Sequence, residues 1–180
     1  MKNNIICNVC YVLILVFIVG SSCSEPAPQI PANKLPDESI DKNMMILNRE
    51  FAELGENEIN CYIDSLQLNL SRSDIGLRYR IVKEGTGQAI EKGDEVTVNY
   101  SIRMLNGPEC EKLTNVTKKI RLGKNDVEKG IEEAVLLLKV SGEGEFIIPS
   151  HLAFGVAGYK NCIAPWAPVF CTLHIISKPN

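Results

Sequence analysis

The sequence predicts an α+β domain, an antiparallel sheet wrapped around one short helix, preceded by an N-terminal amphipathic helical segment. Two observations predict it: after residue 71, short segments alternate apolar and polar residues, and a single helical pattern interrupts them. A sheet that covers one helix buries the apolar surfaces of both elements. The composition, 45% hydrophobic and 23% charged, is that of a globular domain with its own core.

The N-terminal residues 1–22 predict a signal peptide. Lys2 precedes an apolar run from residue 5 to residue 20, which is shorter than the roughly 20 residues that a membrane-spanning helix needs. The small residues Ser21 and Ser22 come directly before Cys23, which suits cleavage by a signal peptidase at that point. The alternative is an uncleaved N-terminal anchor.

The residues around the predicted cleavage point, Gly20-Ser21-Ser22-Cys23, resemble a bacterial lipoprotein lipobox, with Gly20 in place of a larger aliphatic residue. The resemblance implies that Cys23 is lipidated and tethers the chain to a membrane, since several acyl chains anchor a protein durably. The expected location is the bacterial cell envelope, lipid-anchored and either periplasm-facing or at the outer membrane. Residues 23–37 are rich in proline and predict an extended tether.

Residues 38–70 predict an amphipathic helical segment, because apolar residues recur there at steps of three and four. Gly55 lies in its middle and costs up to about 1 kcal/mol relative to alanine, so one long helix and two shorter helices are both open. The apolar stripe either docks on its own domain or pairs with a second copy to form a homodimer. Docking is favoured, because two heptads are short for an independent coiled coil. The stripe consists of Met44, Leu47, Phe51, Leu54, Tyr62, Ile63 and Leu66.

Residues 71–180 are expected to form the folded domain. Residues two apart in a strand share a face, so alternating apolar residues such as Val96, Val98 and Tyr100 point to one core. The expected strands are residues 77–83, 95–102, 117–122, 143–148 and 169–176, and the expected helix is residues 127–138.

Charge and cysteine patterns argue against several kinds of partner. The formal net charge is −3 and the basic residues are not clustered, so no binding of nucleic acid is expected. The cysteines that follow Cys23 form no CxxC motif and no cluster with histidine, so neither a metal nor another cofactor is expected. In an oxidising compartment, four cysteines allow three pairings. These cysteines are Cys61, Cys110, Cys162 and Cys171.

Short motifs follow one another in a fixed order through the C-terminal region. They are GDEVTVNY at residues 93–100, NG at 106–107, LG at 122–123, VEKGIEEA at 127–134 and IPSHLAFG at 148–155. In this order and spacing the chain resembles the FKBP-type peptidyl-prolyl isomerases, from about residue 77 to residue 178. The helical segment that leads into this region is similar to that of lipoprotein FKBPs associated with gliding motility in Bacteroidetes.

The resemblance implies catalysis of cis-trans rotation at peptide bonds that precede proline. The barrier to this rotation is about 18–20 kcal/mol, and uncatalysed exchange takes tens to hundreds of seconds. No covalent bond is made or broken. A catalyst therefore needs only to desolvate the twisted amide and offer it a few fixed hydrogen bonds, so an apolar pocket without a nucleophile or a general base is expected.

The resemblance also implies which residues form the pocket. Tyr100, Glu111 and Phe154 match the positions that act on the twisted amide. Glu111 replaces the usual aspartate, and Phe154 replaces a tyrosine and lacks its hydroxyl donor. The other lining positions are matched by Cys110, Val127, Glu128 through its backbone amide, Ile131, Ile163 and Cys171.

Aromatic rings are missing at three of these positions, where Ile131 replaces a tryptophan, Cys110 a phenylalanine and Cys171 another aromatic residue. Because an aromatic side chain buries roughly 150–250 Å², weaker proline binding is expected. The resemblance implies that Cys110 and Cys171 line opposite walls of the pocket and that Cys162 lies on the adjoining loop. Cys110 is then either oxidised to one of the two, or remains free as a small buried hydrophobe.

The ordered motifs favour a membrane-tethered peptidyl-prolyl cis-trans isomerase that acts on proline-containing polypeptides and assists the folding of exported proteins. The missing rings favour the alternative, a catalytically weak FKBP-fold binding module or chaperone that holds extended client segments. Fold alone does not decide between these functions.

Overall fold

The computed structural model of the chain describes residues 38–179, with side chains from residue 42 onward. The predicted signal peptide, the predicted lipidation site Cys23 and the proline-rich tether lie outside the described residues. In the described part, no helix combines the length and the apolar character that crossing a membrane requires. The elements are α1 (Glu38–Leu66), β1 (Ser71–Arg72), β2 (Arg78–Lys83), β3 (Glu95–Met104), β4 (Val116–Arg121), α2 (Lys129–Leu136), β5 (Glu143–Ile148) and β6 (Val169–Ser177).

The strands form one antiparallel sheet in the order β1-β2-β5-β6-β3-β4. In its centre Tyr100 of β3 lies opposite Leu173 of β6, and Ile102 lies opposite Cys171. The predicted α+β class, an antiparallel sheet with one short helix after an N-terminal helix, is confirmed. The strands begin and end within two residues of the expected positions, whereas α2 is shorter at both ends and the two-residue strand β1 was not predicted.

One face of the sheet packs on α2, and the main core lies between them. The side chains of Ile131, Ala134 and Val135 on α2 are fully buried, and they join Phe146 of β5 in one apolar cluster. Gly130 permits this close approach, because a Cβ atom at its position would collide with the Ile148 side chain. The short helix is therefore pressed against the sheet at its first turn.

The opposite face of the sheet is covered by the C-terminal half of α1. Ile147 lies between the core residues Phe146 and Ile148 on β5, so strand alternation points it to this second face. It is fully buried in a separate cluster with Ile59 and Tyr62 of α1. Strand β5 is thus buried on both faces. Helix α1, from Ile59 onward, is part of the folded domain.

Two arginines fasten α1 to the sheet. Arg103 of β3 donates a hydrogen bond to the Tyr62 hydroxyl over 2.9 Å, and its guanidinium group lies 4.5 Å from the centre of the Phe170 ring. Arg78 of β2, whose side chain is only 7% exposed, forms an ion pair with Glu56 of α1. These contacts add polar restraints to the apolar docking of the helix.

Helix α1 is continuous through Gly55, which settles the choice between one long helix and two shorter ones. Its apolar stripe divides between two environments. Tyr62 and Ile63 dock on the sheet, as the favoured alternative predicted, and Phe51 is half-buried. The large apolar side chains of the stripe that remain exposed are Met44, Leu47, Leu54 and Leu66.

Candidate functional site

The residues predicted to line the pocket come from separate segments and meet in one buried cluster. Strand β3 contributes one of them, α2 another and β6 a third, and the segments before β4 and before β6 contribute the rest. Each of these side chains is at most 6% exposed. They are Tyr100, Cys110, Ile131, Ile163 and Cys171.

Half-buried side chains that pack against this cluster, the floor, form what we call its rim. Val127 and Phe154 both pack against the cluster. Phe154 lies in the tight turn between two single-turn helices, Ser150–Leu152 and Gly155–Ala157. Sequence reasoning did not single out Tyr159, whose ring lies 5.1 Å from the Phe154 ring in a tilted arrangement. Its position only five residues after Phe154 could have indicated that it lies at the same site. Aromatic area missing from the floor is thus partly present at the rim.

Glu128 caps the N-terminus of α2 at the edge of the cluster. Its carbonyl oxygen accepts the backbone N–H of Ile131 over 2.9 Å and that of Glu132 over 3.2 Å. Its own backbone N–H has no hydrogen-bond partner among residues 38–179. An amide N–H at a helix start carries partial positive charge and is oriented to bind an acceptor such as a carbonyl oxygen.

Two titratable groups of the floor are held in their neutral forms. Burial, together with the nearby Glu128 carboxylate, raises the pKa of Tyr100 to about 12. Burial and the same carboxylate also raise the pKa of the Cys171 thiol well above its usual range. The Cys171 thiol donates to the Thr172 carbonyl over 3.6 Å. Neither group ionises near neutral pH, so neither supplies a base or a nucleophile there.

This raised pKa predicts a measurable loss of stability in alkali. A tyrosine in an unfolded chain ionises at about pH 10, whereas folded Tyr100 ionises at about 12. Its contribution to the free energy of unfolding is therefore complete below about pH 10 and is lost as the pH rises toward 12. The absorbance of tyrosinate, followed as the pH is raised, should include a late titration step that is lost in Tyr100→Phe. A Tyr100 hydroxyl that titrates at the ordinary value would contradict the buried setting.

Glu111 does not join the buried cluster. It is exposed on the single-turn helix Glu111–Leu113, in a surface groove that also contains Lys112 and Lys160. The structure therefore places this predicted carboxylate beside the cluster, at the solvent boundary, and close to Cys110 and Cys162. Any contact with a peptide would be made from outside the apolar floor.

A disulfide joins Cys110 to Cys162, with their Cα atoms 5.5 Å apart. This settles the question that the sequence left open, because Cys171 is buried with a free thiol and Cys61 is exposed with a free thiol. The bond ties the segment that carries Glu111 to the loop that carries Ile163. Among the described residues, no group of three or more His, Cys, Asp or Glu side chains could hold a metal ion.

The fold and the cluster define an α+β domain in which a neutral, mostly apolar group of buried side chains lies beside a half-buried aromatic pair. The family model described as FKBP-type peptidyl-prolyl cis-trans isomerase matches residues 86–175, half of the 180-residue chain. The chain belongs to this family.

Curated relatives and solved structures agree with this assignment. The chain is 31% identical over 102 residues to the peptidyl-prolyl cis-trans isomerase Mip of Coxiella burnetii, a match that covers 57% of this chain and 44% of the relative. It is 34% identical over 101 residues to the probable FKBP-type isomerase FkpA of Neisseria meningitidis, covering 56% and 37%. The chain thus spans less than half the length of these relatives.

Among solved structures, the crystal structure of FkpA from Escherichia coli superimposes with a TM-score of 0.60 at 24% identity. The match covers 81% of this chain and 74% of that chain. At this level of identity the likeness establishes the fold.

Proposed function

We propose that this chain is a peptidyl-prolyl cis-trans isomerase and that the Tyr100 cluster is its prolyl-peptide pocket. The observation that carries the proposal is the meeting of Tyr100, Ile131 and Cys171, from three different elements, beneath a rim that contains Phe154. These are the positions that the family resemblance predicted for the pocket. Membership of the isomerase family supports the same assignment.

The mechanism follows from the properties of the site. A proline ring that packs on Phe154 and Val127 would move its amide out of water, which favours the twisted, less polar form of the bond. The unpaired N–H of Glu128 is available to the peptide carbonyl and would help to hold the twisted bond. The neutral Tyr100 hydroxyl is a further donor at the floor. No proton has to be transferred, so the absence of a base at the floor fits this reaction.

The test is a protease-free assay of cis-to-trans relaxation in X-Pro peptides, with the full-length protein. Acceleration that Phe154→Ala reduces while Phe170→Ala does not would support the proposal. Phe170 serves as the control because it is a half-buried aromatic residue that packs against the second cluster, on the opposite face of the sheet. Acceleration that both variants leave unchanged would place the reaction elsewhere.

Restoring a hydroxyl at the rim should improve the enzyme. Phe154→Tyr adds the donor that most family members have, and a neutral hydrogen bond contributes about 0.5–1.5 kcal/mol net. The expected result is a rise in kcat/KM of about two- to tenfold. Steady-state kinetics measures it, with Tyr159→Phe as the matched variant that removes a neighbouring hydroxyl. A kcat/KM for Phe154→Tyr that is unchanged or lower, in a normally folded protein, would argue against this role of the rim.

A second candidate function is a binding module or chaperone with little catalytic activity, and the closed floor favours it. Ile131 and Cys171 are fully buried, so a proline ring would contact mainly the half-buried rim. Suppression of client aggregation by a protein that does not accelerate X-Pro relaxation would favour this candidate over the isomerase.

We also propose that the protein works at the bacterial cell envelope, on exported proline-containing polypeptides, as a lipoprotein related to the gliding-associated FKBPs. In this arrangement residues 1–22 are removed, Cys23 carries lipid, residues 23–37 form a tether and residues 38–70 lead into the isomerase domain. The names of the relatives support an envelope location, since one from Legionella longbeachae is an outer membrane protein. Mass spectrometry of the mature N-terminus tests the anchor; an unmodified Cys23 would exclude it.

Pairing of α1 with a second copy is part of the same proposal. The exposed apolar residues Met44 and Leu47 in its first half are available for it. A strictly monomeric mass in solution would exclude the dimer.

A further inference from the structure

Helix α1 touches the loop beside the pocket through one aromatic pair. The Phe51 ring stacks on the Trp166 ring with centroids 4.9 Å apart and planes 5° from parallel. Trp166 is the single tryptophan of the chain and lies three residues before the first residue of β6. An aromatic pair in this geometry contributes beyond the area it buries. The stack therefore links the long helix to a loop that also carries Ile163 of the pocket floor.

The backbone of Trp166 needs such support. Its φ is +62°, in the left-handed region that a bulky residue rarely adopts. A conformation of this kind persists only where the surroundings hold it in place. Besides the stack, two backbone hydrogen bonds hold this position: the Trp166 N–H donates to the carbonyl oxygen of Gly155 over 2.8 Å, and the Ala167 N–H donates to that of Ala164 over 3.3 Å, across the turn that contains Trp166.

The acceptor of that hydrogen bond belongs to the pocket rim. Gly155 follows Phe154 directly and is itself in the left-handed region, with φ +53°. A continuous set of contacts thus leads from the Phe51 ring, through Trp166, to the turn that orients Phe154. Displacement of Trp166 would release the Gly155 carbonyl and with it one restraint on Phe154.

We propose that Phe51 is a positioning residue for the prolyl-peptide pocket. By stacking on Trp166 it holds the loop before β6 against the Phe154–Gly155 turn, so that helix α1 sets the affinity of the pocket for its peptide. The inference rests on the proposed function, because it assigns the Phe154 rim to peptide binding.

The alternative is that Phe51 merely fastens α1 to the domain. The structure separates the two roles, because the C-terminal half of α1 is docked independently through Ile59, Tyr62 and the Glu56–Arg78 ion pair. Loss of the Phe51 ring therefore leaves the helix in place while it removes the support of Trp166.

The test compares Phe51→Ala with two matched variants of the full-length protein. Leu54→Ala removes a side chain that is 62% exposed on the same helix, and Phe51→Tyr keeps a stacking ring. Fluorescence reports on Trp166 alone, since the chain has no other tryptophan. Amide hydrogen exchange of Trp166 reports on its bond to Gly155. Kinetics on one X-Pro peptide gives KM and kcat separately.

For Phe51→Ala we expect red-shifted Trp166 emission, faster Trp166 amide exchange and a KM raised about three- to tenfold, with kcat changed less than about twofold. Leu54→Ala and Phe51→Tyr should match the wild type in all of these. A Phe51→Ala protein with the KM of Leu54→Ala, or with unchanged emission and exchange, would overturn the proposal.

Failure of the proposed function would look different. In that case the wild type itself would not accelerate X-Pro relaxation. The affinity for the peptide, measured from the change in Trp166 emission on binding, would then be compared between the variants instead of KM. An affinity weakened by Phe51→Ala alone would still support the positioning role, and an affinity equal in all variants would overturn it.

Discussion

Removal of the Cys110–Cys162 disulfide is expected to lower the free energy of unfolding by about 4 kcal/mol. The bond joins residues 52 positions apart, and the chain entropy that a cross-link removes from the unfolded state grows with the logarithm of this separation. Its removal should also weaken binding of a prolyl peptide, because the bond holds the loop of Ile163 beside the segment of Glu111. The loop would then be restrained by the backbone hydrogen bonds between Tyr159 and Ile163 and by the Trp166 contacts.

Urea unfolding of a Cys110→Ala/Cys162→Ala double variant measures the loss of stability. Because the variant has no thiol at either position, oxidation at these positions cannot affect the result. Cys61→Ser is the matched control, since Cys61 is exposed and unpaired. The control should unfold like the wild type. Equal stability of the double variant and the wild type, or free thiols at both positions in peptide maps of the unreduced protein, would contradict the expectation.

Substitution of Glu56 by alanine is expected to lower the free energy of unfolding by about 2–3 kcal/mol, less than for a fully buried pair because the Glu56 side chain is 32% exposed. Glu56 pairs with Arg78, whose side chain is 7% exposed and also donates to the Gly76 carbonyl over 2.9 Å. Loss of the carboxylate leaves a buried guanidinium without its counter-charge, which costs far more than the loss of a surface pair. The docking of α1 on the sheet should weaken in parallel.

Glu53 provides the matched control, because it lies one turn earlier on α1 and pairs with Arg49 at the surface, where both side chains are at least 64% exposed. Glu53→Ala should change stability by less than about 0.5 kcal/mol. Combining Glu56→Ala with Arg78→Met should recover part of the loss, since the uncompensated charge is then gone. Similar denaturation midpoints for Glu56→Ala and Glu53→Ala would show that the buried ion pair is not essential to the docking.

The local pattern of the sequence predicted the sheet well. Apolar and polar residues alternate along β3 and β6 because one face of each strand packs against the main core. It did not decide whether Gly55 interrupts α1. The helix continues through Gly55 because Ile59 and Tyr62, one and two turns later, are buried against the sheet, and this packing outweighs a cost of about 1 kcal/mol. Strand β1 has only two residues and therefore no periodicity to detect.

The site was predictable to the extent that it follows from family resemblance. The resemblance predicted the cluster around Tyr100 and Ile131, but not which cysteine pairs with Cys110, because that depends on the conformation of a loop rather than on strand alternation. The stack of Phe51 on Trp166 was missed for a similar reason. It joins a helix to a loop more than a hundred residues later, and no local pattern records such a contact.

The central claim is that the Tyr100 cluster and its Phe154 rim accelerate prolyl isomerisation without acid-base chemistry. Exchange spectroscopy of an X-Pro peptide with the isotope-labelled full-length protein tests it most directly, because the cis-trans exchange rate and the responding protein residues come from one sample. We expect faster exchange at a rate independent of pH from about 6 to 9, with peptide-induced shifts at Phe154 and Glu128. Unaccelerated exchange, or a rate that follows the ionisation of a side chain in this range, would contradict the claim.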